Sequence, residues 1–193
     1  MTRTRAGSKS ASRERIVAAG ARAIRRSGYG GVSIVDIMKE ANLTHGGFYA
    51  HFPSREAMLV ELSDRAGADA IASFTRAAEE APPAQSLRAL LSAYLCEAHV
   101  RQPEIGCPIA ALGTEMPRQA APIRRAVTRR IKEMIDLVSR ESPDFGFPGA
   151  HHRALVITAT IVGTLVLARA VDDAALSESV LGAVRDHLIP SPK

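Results

Sequence analysis

The sequence is poor in aromatic side chains, has no tryptophan and carries only two cysteines, Cys96 and Cys107, in 193 residues. Two thiols are too few for a disulfide scaffold and fit a reducing compartment, so a cytoplasmic location is expected. No apolar stretch follows Arg3, Arg5 and Lys9, and no secretory signal is expected. The longest uncharged run spans fifteen residues, 154–168, and includes Thr158, Thr160 and Thr164. It falls short of the about 20 apolar residues of a membrane span, so it reads as a helix buried in a core or an interface, and no membrane partner is expected. Alternating Val/Ile/Thr runs are scarce as well, which leaves no strand pattern to compete with helix.

What is present agrees with a folded, all-α chain: 46% hydrophobic residues, 23% charged residues and thirty-three alanines, the last being the strongest helix formers. The length suits one large or two small domains. The net charge of +5 is unevenly spread. Residues 1–60 hold ten Lys/Arg and four Asp/Glu, whereas residues 61–193 hold fifteen and sixteen. A basic segment beside a near-neutral body points to a polyanion, nucleic acid first and an acidic membrane second.

Within the basic third, Ser12 and Glu14 suit the start of a helix whose positions Ile16, Gly20, Ala23 and Ile24 share one face, with Gly28 as its stop. Ser33 and Asp36 open a short second helix with Ile34, Ile37 and Met38 inward, and Asn42 suits its left-handed end. Thr44 starts a third helix through Phe52, and Pro53, Ser54 and Glu56 start a fourth. Farther on, helices are predicted near 54–80, 84–101, 108–115, 119–141, 150–171 and 176–188, punctuated by prolines.

Residues 33–52 therefore have helix-turn-helix spacing. In such a unit the second helix offers its N-terminal residues to a major groove while apolar residues fix its angle. Phe48 and Phe52, four apart, do the fixing. Thr44, His45, Gly46 and Gly47 are left at the exposed start, where glycine allows close backbone approach to DNA without side-chain readout.

The break at Gly28-Tyr29, the Ser33 start, and Phe48-Tyr49-Ala50-His51-Phe52 followed by Ser54-Arg55-Glu56 make the segment from Arg13 to Leu59 resemble the TetR family of bacterial transcriptional regulators. The Gly106-Cys107 segment leading into Glu115 resembles one subgroup. The resemblance implies a three-helix DNA-binding domain, residues 11–56, behind a basic flexible arm, residues 1–10. A helical effector and dimerisation domain, residues 57–193, would follow. It implies that Ser33, Tyr49, His51 and Arg55 face the phosphate backbone and that Thr44 and His45 lie nearest the bases. Hydroxyl, imidazole and guanidinium donors suit phosphate oxygens. His45 stands where lysine is frequent in the family, and Arg55 where lysine is usual. The implied function is a homodimeric repressor on a pseudo-palindromic operator, released by a small-molecule effector, with no cofactor and no enzymatic activity.

Elsewhere, Arg124, Arg125, Arg129, Arg130 and Lys132 read as the solvated face of an amphipathic helix. His151-His152 reads as a surface or interface pair rather than a metal site. Residues 154–168, together with Leu176, Val180, Leu181, Val184 and Leu188, could form a four-helix interface between subunits. Phe74, Leu91, Tyr94, Leu95, Leu112, Met116, Thr158 and Val162 could line an effector cavity or simply fill the core. Tyr94, Cys96, His99 and Cys107 contain the ingredients of a Cys-His site without a motif to enforce it. Cys107 before Pro108 is placed at a helix N-cap, which would suit a redox or electrophile sensor if the thiol were accessible.

Overall fold

In the computed structural model, which describes residues 5–189, the described residues are helical with no strand. Helix α1 (Arg5–Ser27) is built from alanine, arginine and other helix-compatible residues, with no proline to stop it. It runs straight through Ser12, which is therefore not its N-cap; the Ser12 hydroxyl instead accepts from the Arg15 guanidinium at 3.3 Å. Residues 5–10 are thus helix rather than a flexible arm, and residues 1–4 lie outside the described residues. Gly28 ends α1 as expected, at φ +75°, with its N–H on the Ile24 carbonyl at 2.8 Å. Only glycine takes that left-handed conformation without strain.

Ser33 caps α2 (Ile34–Glu40), and the Asp36 side chain closes the capping box. Asn42, at φ 56°, makes the turn after it. The third helix is not α-helical: His45–Ala50 forms a 3-10 helix, and Thr44 makes no side-chain cap. Two consecutive glycines near its start are poor helix formers, and the tighter form needs fewer residues per turn. Helix α3 (Arg55–Glu79) begins behind the Ser54 cap.

The segment expected as one helix over 84–101 breaks into α4 (Ser86–Tyr94) and α5 (Glu97–Arg101). The His99 ring lies 2.7 Å from the Tyr94 carbonyl, which a continuous helix would have paired with the backbone N–H four residues on. After α6 (Pro108–Leu112), a 3-10 helix (Gly113–Arg118) leads to α7 (Ala121–Glu141), α8 (Ala150–Ala170) and α9 (Ala174–Leu188).

Helix α3 is the spine shared by two cores. Its first turns, through Met58, Leu59 and Leu62, pack with Ile16, Ile24, Ile37, Met38, Phe48 and Phe52. Its second half, through Ala70 and Phe74, packs with Leu91, Tyr94, Leu137, Ile161 and Leu165. Full burial of each large side chain contributes about 1.5–3 kcal/mol. Gly20 lets α1 close on α3, since a Cβ there would sit 2.6 Å from Leu62 Cδ1. The first core does not close at residue 56: besides the start of α3 it takes in Leu112 and Ile123, so the two halves share a packed boundary.

Helix α8 is long and apolar enough to cross a membrane. In this fold it packs between α7 and α9 and buries Ala154, Thr158, Ile161, Leu165 and Ala168. Leu165 and, on α9, Leu181 thus face their own subunit's core. The side chains that α8 and α9 leave exposed include Leu155, Val156, Leu167 and Leu176. Arg129 and Arg130 are not simply solvated: both engage Asp64 of α3, Arg130 Nη2 at 2.7 Å, and so dock α7 on the spine.

Candidate nucleic-acid interface

The helix-turn-helix leaves most of its expected contact residues exposed. Ser33, Thr44, His45 and Gly46 are exposed, and Gly47 is half-buried. Phe48 and Phe52 are buried and stacked, with ring centroids 5.8 Å apart. The Arg13 guanidinium covers Phe52 from α1 at 4.6 Å, a cation-π contact that fixes the 3-10 helix from behind. Tyr49, between the two buried rings in sequence, is 74% exposed.

Packing does not account for the glycine pair. A Cβ on Gly46 would meet nothing within 4 Å, and one on Gly47 would make only ordinary contacts, 3.7 Å from Met38 Cε and 3.8 Å from Thr44 Oγ1. Neither has a positive φ. Their lack of side chains instead leaves the backbone open to close approach from outside, as the edge of a nucleic-acid groove requires.

His51 is half-buried, and its Nδ1 finds no partner among the described residues. Burial, with Lys9 and Arg13 nearby, pushes its pKa below the ordinary histidine value. The ring is therefore neutral at pH 7 and offers an N–H rather than a charge. Arg55 has an additional role that spacing did not reveal: Nη2 donates to the carbonyls of Tyr29 at 2.6 Å and Val32 at 3.2 Å. It clamps the α1–α2 connection to the start of α3 while remaining exposed.

That connection is held from a second side. Glu115, in the C-terminal half, accepts the Tyr29 backbone N–H at 3.0 Å. The Tyr29 hydroxyl lies 2.7 Å from Ser63 Oγ. Because Ser63 Oγ itself donates to the Leu59 carbonyl, the tyrosine is the donor. Buried Arg25 of α1 donates to the carbonyl of Gly106 at 3.2 Å and that of Ala66 at 3.3 Å. These contacts link residues 34 to 86 positions apart in the chain, and no local pattern could have signalled them.

Other expected groups are placed differently. Tyr94, His99 and Cys107 do come together, but His99 Nε2 accepts the Cys107 backbone N–H at 2.8 Å and Nδ1–H donates to the Tyr94 carbonyl. Both ring nitrogens are thereby occupied, and neither can serve as a base for the thiol. Cys107 is at the N-cap of α6 but is only 3% exposed, which does not favour the sensor reading. Arg25 and Arg169 lie close enough to the thiol to interact with it electrostatically. Phe74, Leu91, Tyr94 and Leu95 fill the second core rather than lining an open space. An open cleft lies instead between α5, the end of α8 and the start of α9. His151 and His152 are exposed, and the described residues contain no His/Cys/Asp/Glu group that could hold a metal.

An exposed, glycine-opened helix start on two buried aromatic rings, in a basic N-terminal unit, defines a helix-turn-helix DNA-binding protein. Comparison with known proteins gives the family. Residues 16–62 match the bacterial regulatory proteins of the tetR family, and residues 83–180 match the C-terminal domain of LmrA/YxaF-like transcriptional regulators. The chain is 31% identical over 165 residues to the HTH-type transcriptional regulator Rv0196 of Mycobacterium tuberculosis, covering 81% of this chain and 84% of that one. It is 26% identical over 162 residues to LmrA of Bacillus subtilis, covering 81% and 85%. Among solved structures, a TetR regulator from Chloroflexus aurantiacus superposes with a TM-score of 0.76 at 25% identity, covering 95% of this chain and 97% of that one. Reduced NemR of E. coli shares the fold, with a TM-score of 0.76 at 21% identity over 92% and 95% of the two chains. The chain belongs to the TetR family and is a DNA-binding transcriptional regulator.

Proposed function

We propose that the chain acts in the cytoplasm as a homodimeric repressor that binds a pseudo-palindromic operator and leaves it when a small molecule enters the C-terminal half. The carrying observation is the surface at Thr44 to Tyr49, whose two glycines no internal contact demands. Thr44 and His45 reach the base edges there, and backbone at Gly46 and Gly47 approaches the duplex. Ser33, Tyr49, His51 and Arg55 hold phosphates and set the register. Helix-turn-helix dimers read two half-sites about one helical turn apart, so protein symmetry is mirrored in the operator.

Dimerisation is supported by apolar side chains that the subunit leaves uncovered. Val156 and Leu167 on α8 are both more than half exposed, and exposed Ala159 and Gly163 lie between them at helical spacing. With exposed Leu176 on α9, this face suits a four-helix packing across a two-fold axis. Selection of duplexes from a random pool tests the reading. Enrichment of one inverted repeat supports it, and a selected pool no different from the input contradicts it.

A further inference from the structure

We propose that the cleft between α5, α8 and α9 is the effector site, that its ligand is an amphipathic organic anion, and that Arg169 is the anion's partner. This rests on the small-molecule effector reading above. The cleft encloses about 900 Å³, room for a drug-sized molecule. Val100, Ala168, Val171 and Leu181 give it apolar walls, and Arg169 stands among them.

Arg169 is held in an incomplete polar environment. Nη2 donates to the His99 carbonyl at 2.5 Å, but Nε and Nη1 are buried and find no partner among the described residues. The hydroxyl of the fully buried Tyr94 has no nitrogen or oxygen partner among the described residues and lies beside the Cys107 thiol, near enough to Arg169 to interact with it electrostatically. Buried donors of this kind are paired in most proteins, and a guanidinium fork matches a carboxylate with two parallel hydrogen bonds. The carboxylates lining the cleft are partly committed: Glu97 pairs with Arg101, and Asp173 caps α9. Asp172 and Glu178 remain, and the lining carries four carboxylates against the guanidiniums of Arg101, Arg169 and Arg185. Selection for an anion therefore comes from Arg169 at short range, with the apolar walls taking the ligand's body.

The same arginine has a route to the DNA-binding half. It holds the His99 carbonyl, the His99 ring holds the Cys107 N–H, and the Gly106 carbonyl accepts from Arg25 of α1. Little slack exists in this chain, since a Cβ on Gly106 would lie 2.3 Å from the His99 ring. Either two-bond edge of the guanidinium, Nε with Nη2 or Nη1 with Nη2, includes the nitrogen that holds the His99 carbonyl, so a carboxylate that takes two parallel hydrogen bonds releases that carbonyl. The 99–107 segment then holds Arg25 less firmly at the Gly106 carbonyl, and α1, still tied to α3 through Ala66, loses one of the contacts that fix its helix-turn-helix.

Titration calorimetry with benzoate, 2-naphthoate and pyrene-1-carboxylate, each beside its primary amide, tests the site. At least one carboxylate is expected to bind once per chain and at least tenfold more tightly than its amide, with that preference erased in Arg169→Gln. Arg169→Lys keeps the charge and removes the planar fork; it is expected to weaken the carboxylate several-fold and leave the amide unchanged. Absence of carboxylate binding, equal binding of acid and amide, or a preference that survives both substitutions would overturn the proposal. Operator binding separates the two layers. Arg169-dependent binding without operator release supports the anion site and overturns the effector reading, whereas release by the amides alone supports the effector reading and overturns the anion site.

Discussion

Replacing Gly28 by alanine tests how firmly the C-terminal half grips the connection that leads into the helix-turn-helix. The residue is held at φ +75°, and a left-handed conformation costs an alanine roughly 1–2 kcal/mol. The new Cβ would also stand 2.4 Å from Glu115 Oε1, so that carboxylate must withdraw from the Tyr29 N–H. A hydrogen bond to a charged group contributes about 1.5–3 kcal/mol when buried, and the low end applies to this half-buried pair. Gly28→Ala is therefore expected to destabilise the protein by about 2–4 kcal/mol, read by urea unfolding at fixed protein concentration. In a Glu115→Ala background the carboxylate is already gone, and the same substitution should cost only the backbone share. A coupling of about 1–2 kcal/mol in the double-mutant cycle follows. Additive effects, or a Gly28→Ala cost under about 0.5 kcal/mol, would refute the contact between the two halves as a constraint on the turn.

Tyr49→Phe is expected to weaken binding to operator and random duplex by the same factor, because phosphate contacts carry no sequence information; anisotropy titrations at several salt concentrations check this, and a change of preferred site would contradict it. Leu167→Asp, on the exposed face of α8, should give a folded monomer by light scattering, whereas Leu165→Asp places a charge in the subunit's own core and should unfold it. A stable Leu167→Asp dimer would move the interface elsewhere. The His99 pKa is pushed down, mainly by burial, from 6.5 to about 4. Between those values the unfolded chain binds the extra proton, so stability is complete above about pH 6.5 and falls toward pH 4 by roughly 3 kcal/mol. Urea unfolding across that range should show a shallower decline in His99→Gln.

The N-terminal motif was legible in the sequence because its determinants are local. The Ser33 cap, the Asn42 turn, the Ser54 cap and the Phe48/Phe52 pair each act within a few residues, and each is found where spacing put it. Ser12 misled because a serine preceding an apolar face suits a cap as well as a helix interior, and Gly7, Ser8 and Ser10 before it gave no sign that the helix begins earlier. The 84–101 break depends on the His99 ring competing for the Tyr94 carbonyl, a contest that periodicity cannot register. Arg55, Glu115 and Arg25 owe their roles to carbonyls and N–H groups of distant segments. Which side of apolar α8 faces inward is likewise set by α7 and α9: with hydrophobic residues on nearly all sides, its sequence distinguished Leu165 from Leu167 in no way.

The most direct test of the central claim is the ratio of operator to random-duplex affinity in the parent and in His45→Ala, using the duplex selected from a random pool. If Thr44 and His45 read bases, His45→Ala should lower that ratio by about 1–3 kcal/mol, relax selection at one or two base pairs per half-site and leave affinity for random DNA nearly unchanged. An identical selected site with an unchanged ratio would show that this helix start does not read the operator.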